Sequence, residues 1–322
     1  MISRATPLPL NLFGIPFGLT GLAGLWTAAG GILGTPSIVA SAFWVIAAAA
    51  WLATLIRYLA GARSLRAIIR DLKHPVLGPF AALVPVVATL LGEHLHPDLP
   101  GLSRGWVLTT TVLSFLFAAW FVSQLAAGAH DLDQVHSGYF LPTVAGGLIS
   151  AQSLAAVGYH GLALGAFGAG ILFWFILGAI TLQRLAFRPQ PPAALVPTLA
   201  IFSAPPAVAG NAWFAIQGGA AGAPVDAIQH ALFGTFLLLL VMQFFLIRLY
   251  VRTPFSYGFW GLTFTAAASG RYAVQIFDSG HHPAVFVWLV VIVVAVTALV
   301  AAIAAASVRL AIRTHGAQSA RD

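Results

Sequence analysis

The sequence has no cysteine among its 322 residues. This absence excludes disulfide bonds, thiolate nucleophiles, cysteine-ligated zinc and iron–sulfur clusters. It removes whole classes of redox and hydrolytic chemistry, and it leaves the cellular compartment undetermined.

Charged residues are scarce, at 7% of the chain, against about 25% in an ordinary soluble domain. Apolar residues make up 60%, and a further 32 residues are glycine. A soluble protein of this length could not cover its surface with so few charges. The composition therefore predicts an integral membrane protein and excludes a soluble enzyme, a secreted domain and a disordered chain.

Motifs for nucleotide binding and hydrolysis are also missing. The chain has no P-loop, no glycine-rich dinucleotide fingerprint and no nucleophile elbow. Its ten histidines fall near the ends of apolar runs or between them, so no pair lies at mid-membrane depth to hold a haem. We expect no ATP site, no cofactor and no enzymatic activity.

Acidic residues and histidines gather at one end of the expected spans. The group consists of Glu93, His94, His96 and Asp98, with His281 and His282. Its spacing matches no recognised zinc motif, so we expect no metal site. The group is consistent with a mouth whose charge changes below about pH 6.5, and equally with polar residues that lie at a membrane interface.

Apolar runs of about 20 residues predict membrane-spanning helices. The whole chain, 1–322, is interpreted as one transmembrane domain. Ten spans are expected near residues 8–30, 36–61, 75–96, 104–127, 138–159, 162–186, 192–217, 226–250, 254–277 and 283–312.

The net charge of +7 does not indicate a nucleic-acid partner, because the basic residues lie in short clusters between the apolar runs. Thirteen of the fifteen Lys and Arg residues fall on one side of the expected spans, and Arg104 and Arg271 are the exceptions. The positive-inside rule then places both termini in the cytoplasm. This result requires an even number of spans.

Prolines alternate along most of the chain. Spans one, three, five and seven contain internal prolines and the even-numbered spans contain none. The prolines concerned are Pro16, Pro79, Pro85, Pro142, Pro197, Pro205 and Pro206. Proline frees a backbone carbonyl and bends a helix, which lipid tolerates only when the break faces protein or water. The pattern predicts five hairpins, each with a bent inner helix and a straight outer one. The alternative is that proline and glycine are simply common in membrane helices.

Four stretches resemble the tellurite-resistance/dicarboxylate transporter family of TehA-like proteins, to which the plant guard-cell slow anion channels are related. They are residues 12–19 (LFGIPFGL), 136–142 (HSGYFLP), 153–160 (SLAAVGYH) and 167–170 (FGAG). The resemblance extends over nearly the whole chain and is most specific in spans one, five and six.

The resemblance implies an all-helical membrane protein with five hairpins in quasi-five-fold arrangement around a central anion pore, and a homotrimer with one pore in each subunit. In that family a phenylalanine on the ninth helix closes the pore. The matching stretch here is 258–265 (GFWGLTFT), which identifies Phe264 as the gate. Nothing in the spacing of the 23 phenylalanines selects one of them without the resemblance.

Arg271 is the main candidate for a charge inside the membrane. It follows Phe264 by seven residues, close to two helical turns at ~100° per residue, so both side chains lie on one helix face. If Phe264 faces the pore, Arg271 lies about 10 Å further along it and would attract anions. The alternative is an arginine that reaches the interface or pairs with Asp278 on the same face.

Other polar side chains inside the spans are expected to form hydrogen bonds between helices. Gln152, Ser203 and Asn211 lie on inner helices, so they are also candidates for the pore lining.

The sequence favours a channel for small inorganic or organic anions in a bacterial inner membrane. Its one candidate intramembrane charge is positive, and weak sites favour conduction. The alternative is a proton-coupled carrier for tellurite or C4-dicarboxylates, which should need an intramembrane acid; Glu93 is the only acidic candidate near a span. A redox or enzymatic subunit ranks last.

Overall fold

A computed structural model describes residues 8–62, 64–219, 225–279 and 285–319, and all of their regular secondary structure is helical. The α-helices are α1 (Gly14–Leu33), α2 (Ser37–Gly61), α3 (Leu65–Leu72), α4 (Leu83–His94), α5 (Pro100–Ala126), α6 (Gly146–Ala156), α7 (His160–Phe187), α8 (Pro205–Ile216), α9 (Ala227–Arg252), α10 (Trp260–Ser279) and α11 (Val285–Ser319). Arg4, Arg63, His281, His282 and Arg321 lie outside the described residues, as do the side chains of Asp278 and His315.

Seven helical segments of the described residues are long and apolar enough to cross a membrane. They are Leu10–Leu33, Ser37–Gly61, Pro100–Ala126, His160–Phe187, Ala193–Ile216, Ala227–Arg252 and Phe286–Thr314. Gly78–His94 is apolar but shorter. The prediction of a multi-pass helical membrane protein is thereby confirmed.

Two further predicted spans are helical, but neither is a single long apolar α-helix. In the stretch near 138–159 the helix type changes before α6 begins, so α6 itself has only 11 residues. The stretch near 254–277 contains α10, which is rich in threonine, serine and other polar residues.

The helical segments divide into a buried set and an exposed set. Leu10–Leu33 and Ala193–Ile216, which contain prolines, have 61% and 72% of their most apolar window buried. The segments that the sequence predicted to be straight have only 11% to 28% buried. Large apolar side chains cover the outside of the latter, such as Phe245 on α9 at 83% exposure and Val45 on α2 at 68%. Such a surface suits lipid.

The buried stretches share a second feature. Each begins with a helical segment whose turns are tighter or wider than those of an α-helix. The 3₁₀ segments are Leu10–Phe13, Gly78–Ala82, Ser137–Tyr139, Ala193–Ser203 and Tyr257–Phe259, and Leu141–Ala145 is a π-helix. Proline cannot donate a backbone hydrogen bond, so Pro79, Pro142 and Pro197 favour such departures from α geometry. We call α1, α4, α6, α8 and α10, with these leading segments, the inner helices.

His136 joins the start of α6 to the start of α4. Its Nδ1 accepts a hydrogen bond from the Gly138 amide at 3.1 Å, so its Nε2 carries the proton and donates to the Val76 carbonyl at 2.9 Å. The Tyr139 hydroxyl donates to the Pro75 carbonyl, also at 2.9 Å. These bonds satisfy backbone groups that the broken helix starts leave without partners.

Glycines let the inner helices approach their neighbours closely. A Cβ on Gly147 of α6 would lie 2.8 Å from the Gly170 Cα and 3.0 Å from the Ala166 carbonyl oxygen, both in the backbone of α7. Small residues at helix crossings serve this purpose in membrane proteins, where packing rather than water exclusion holds helices together.

The Gly147 crossing yields the first prediction. Gly147→Ala should lower the thermal unfolding midpoint in detergent by several degrees, because overpacking against a backbone that cannot yield costs about 1–3 kcal/mol. Gly165→Ala on α7 is the matched control, since nothing lies within 4 Å of its Cβ position. Equal midpoints for the two variants would contradict the close crossing.

The buried His136 yields a second prediction. Burial lowers the pKa of His136 from its ordinary value of 6.5 to about 4. Between these values the unfolded chain binds a proton that the folded chain does not, so stability is complete above pH 6.5 and falls as the pH drops toward 4. The loss amounts to about 3 kcal/mol for this group. His136→Asn should show a shallower decrease of melting midpoint between pH 7.5 and 5, and an unchanged slope would argue against the buried neutral ring.

Candidate functional site

Phe264 lies where α10 crosses α1. Its ring stacks on the ring of Phe17 with 3.5 Å between centroids and 11° between planes, and only 8% of the residue is exposed. Gly21 provides the space, because a Cβ there would lie 3.0 Å from the Phe264 Cδ2. The glycine-rich face of α1 therefore determines where the aromatic ring can lie.

The Phe264 ring separates two cavities. The first cavity has about 620 Å³ of empty space and an almost wholly apolar lining, which includes Phe17, Leu83, Leu148 and Val208. The second has about 370 Å³ and includes polar groups, among them Gln152 and Asn211. Phe264 and Val208 line both cavities.

All five inner helices contribute to the second cavity. The contributing residues include Gly21 of α1, Leu90 of α4, Gln152 of α6, Asn211 of α8 and Phe264 of α10. Among the described residues, Trp44 of α2 is the only one from a straight outer helix that lines it. At the level of the Phe264 ring, residues from each of the inner helices thus line one common cavity.

A third cavity follows the second on the side away from the first. It has about 860 Å³ of empty space and shares Arg271 with the second cavity. Its lining is about half polar and includes Glu93, His96, Arg104 and Gln275. The three cavities form a row, in which Phe264 lines both the first and the second, and Arg271 lines both the second and the third.

Arg271 lies beside Glu93. The Arg271 Nη2 is 4.0 Å from the Glu93 Oε1, and about one fifth of each side chain is exposed. The carboxylate also accepts hydrogen bonds from the Gln152 Nε2, at 3.0 and 2.9 Å to its two oxygens, and from the Ser153 hydroxyl at 2.6 Å. The sequence suggested Asp278 as a partner of Arg271; the side chain of Asp278 lies outside the described residues, and within them Glu93 lies beside Arg271.

The other two residues that the sequence suggested for the pore lining differ in position, because only one of them lines a cavity. Asn211 lines the second cavity, where its Nδ2 donates to the Ala268 carbonyl at 3.0 Å. Ser203 is buried and donates to the Ala200 carbonyl at 2.8 Å, and it lines none of the three cavities.

The predicted kink prolines lie mostly behind the cavity lining. Pro205 is the one that lines the first cavity. Pro142 instead lines an apolar groove on the outside, between α5 and α7. Pro16, Pro79, Pro85 and Pro197 line none of the three cavities, so the prolines shape the inner helices rather than contact a ligand.

Sequence reasoning assigned Glu93 only to the end of a span and missed its contact with Arg271. The helical period contained only part of the signal, because it shows which face of α4 carries Glu93 but not which helix lies opposite. Leu83, Leu90 and Glu93 lie on one face of α4, at spacings of seven and three residues. The first lines the first cavity, the second the second cavity, and Glu93 the third.

Comparison with known proteins identifies the family of this chain. The family model described as a voltage-dependent anion channel, SLAC1, matches residues 7–308. The chain belongs to this family. The match includes every inner helix, and it confirms the resemblance found in the sequence.

Named relatives of this voltage-dependent anion channel family come from a bacterium and a plant. The chain is 31% identical to the tellurite resistance protein TehA homolog of Haemophilus influenzae, over 86% of this chain and 83% of that protein. It is 23% identical to the guard cell S-type anion channel SLAC1 of Arabidopsis thaliana, over 83% of this chain and 50% of that protein. For the S-type anion channel SLAH2 of the same plant the identity is 24%, over 84% and 53%. The matched region thus spans about half the length of these two plant relatives.

The row of cavities can be tested by chemical labelling, because the chain has no cysteine of its own. A charged thiol reagent should label Ala268→Cys in the second cavity only from the solution that the third cavity faces. It should label Ala145→Cys in the first cavity only from the opposite solution. Ser203→Cys should stay unlabelled from both sides, since that residue lines no cavity of the row.

Adding Phe264→Ala should let the reagent reach both labelled positions from either side. Labelling of both cysteines from both sides with Phe264 intact would contradict closure at this ring.

Proposed function

We propose that the chain is an anion channel whose pore is the row of three cavities and whose gate is Phe264. The observation that carries this proposal is the position of the Phe264 ring between two cavities lined by all five inner helices. Membership of the anion channel family supports the same function.

The chemistry of the lining suits an anion that sheds water gradually. The first cavity offers almost no polar surface, so it provides no strong site in which an ion would be trapped. The second and third cavities contain amide donors and the Arg271 guanidinium. Such weak polar sites with a positive field favour the passage of anions over cations.

Gating in this proposal is a movement of one aromatic ring. In the closed state the stacked rings of Phe17 and Phe264 leave no hydrated path between the first and second cavities. An apolar constriction of this kind stops ions because water does not wet it. Rotation of the Phe264 ring out of the axis would join the two cavities.

The assembly and topology complete the proposal. We infer ten membrane crossings in a single domain, 1–322, with both termini in the cytoplasm of a bacterium and the protein in its inner membrane. The one-sided distribution of Lys and Arg supports this orientation, and the similarity to a bacterial protein supports the location. Three copies would assemble with one pore in each, as the resemblance implies.

A proton-coupled carrier for tellurite or a dicarboxylate is the second candidate. The observation that favours it is Glu93, because a carboxylate in contact with Arg271 at the join of two cavities could take part in proton transfer. The tellurite resistance named for the Haemophilus influenzae relative fits either candidate.

Phe264→Ala should convert a silent protein into a conducting one in planar bilayers. We expect the anion current to rise at least about tenfold, which corresponds to ~1.4 kcal/mol removed from the barrier. Replacing chloride with nitrate and then with malate would rank the permeant anions.

Phe245→Ala is the matched control, because Phe245 is 83% exposed on the outer surface of α9. It removes the same side chain without touching the cavities, and its current should equal that of the unchanged protein. If the Phe264 variant is silent while reconstituted vesicles take up tellurite or malate only under a proton gradient, the carrier replaces the channel.

A further inference from the structure

Donors from three residues converge on one carboxylate where the second and third cavities meet. The Gln152 amide reaches both oxygens of Glu93, and the Ser153 hydroxyl reaches one of them. The Arg271 guanidinium approaches from α10, with its Nη2 4.0 Å from the Glu93 Oε1. Glu93 itself comes from a third helix, α4, so the donors belong to elements other than its own.

The donors are fixed in place by burial. Gln152 is 4% exposed and Ser153 is fully buried. Both lie on α6, and close packing around them limits the rotamers that the amide and the hydroxyl can adopt. Donors that are oriented before a ligand arrives lose little entropy when they bind it.

Arg271 retains donor capacity in this arrangement. Its Nε is buried and has no hydrogen-bond partner among the described residues, and its contact with Glu93 is long. A guanidinium offers five N–H donors in a planar fork that matches a two-oxygen anion. The cluster therefore contains more donor groups than the Glu93 carboxylate satisfies.

The charge of Glu93 offsets the charge that makes Arg271 attractive to anions. With the carboxylate in place, the pair is neutral at the point where an anion would pass from the third cavity to the second. An anion in solution must then compete with a carboxylate that is covalently attached to the protein, at a high effective concentration.

We propose that Gln152, Ser153 and Arg271 form a binding site for small oxyanions and carboxylates, and that Glu93 is a tethered competitor which occupies it. The inference rests on the proposed function, since it assigns a step in permeation to this site. The ligand class follows from the Gln152 amide, which bridges two oxygens of one planar group. A spherical halide offers no such pair of acceptors.

Glu93→Gln should weaken the tethered competitor without changing its size. The new amide carries no charge, so it holds the Gln152, Ser153 and Arg271 donors less tightly and a dissolved anion can displace it. Arg271 then lacks its negative neighbour, so nitrate and formate should bind at least about tenfold more tightly than in the unchanged protein. Chloride should gain less than nitrate.

The gain in nitrate affinity on Glu93→Gln should depend on Arg271 and on no other charge. In the Arg271→Gln background, Glu93→Gln should leave nitrate affinity unchanged, because the two substitutions act through one contact. Asp98→Asn removes another acidic side chain near the same end of α4 without touching this pair, and it should leave the affinity as it is.

Binding is measured on purified protein in detergent, as the rise in melting midpoint with sodium nitrate, formate or chloride at constant ionic strength. The same titrations are repeated as currents in the Phe264→Ala background. A Glu93→Gln protein that binds nitrate no more tightly than the unchanged protein would overturn the inference, whether or not the Phe264 variant conducts. Tighter binding without any current would leave the anion site in place and overturn the channel.

Glu93→Asp supplies a second test if the amide variant does not fold. The aspartate keeps the charge but draws it back by one methylene from Gln152 and Ser153, so nitrate affinity should lie between those of the unchanged protein and a vacated site. An affinity equal to that of the unchanged protein would count against tethered competition.

Discussion

The structure depends on one constraint of the membrane interior, which is that backbone polar groups without partners cannot face lipid. Each inner helix begins with a 3₁₀ or π segment, and several contain proline, so each has backbone groups that an uninterrupted α-helix would satisfy internally. These helices must lie inside a layer of continuous helices, as the burial of Leu10–Leu33 and Ala193–Ile216 shows. An axis surrounded by irregular helices follows from that requirement.

The same irregularity creates the row of cavities. Bent helices cannot pack along their whole length, and glycines such as Gly21 bring α1 and α10 together where the rings of Phe17 and Phe264 stack. The space left on each side of that contact is the first and second cavity. The stacked aromatic pair and the open space on either side of it are thus two results of one packing arrangement.

The ionisable groups are concentrated at one end of the row of cavities. Its first cavity is apolar, whereas its third contains Glu93, Arg271 and other ionisable groups. An arginine that is paired with a carboxylate attracts anions far less than an isolated one, since the pair has no net charge. Because Glu93 offsets the charge of Arg271, a change at Glu93 alters the net charge at this end of the row, which would not happen with a single buried cation.

Much of this architecture could be predicted from the sequence, because it follows from composition and period. Low charge indicated a membrane protein, alternating prolines indicated which helices lie inside, and the spacing of Phe264 and Arg271 placed them on one face. The Glu93–Arg271 contact could not be found in that way, because it joins α4 to α10 across 178 residues of sequence. The short helix α3, with its exposed Leu65 and Ile69, was also missed, since long apolar windows average out an eight-residue amphipathic segment.

The central claim is that anions cross the membrane through the point that Phe264 closes. The reversal potential of the Phe264→Ala current under a tenfold gradient of sodium nitrate tests it most directly. A pore selective for anions predicts a reversal near the nitrate equilibrium potential, about 59 mV from zero. A reversal at zero, or on the sodium side, would contradict the account.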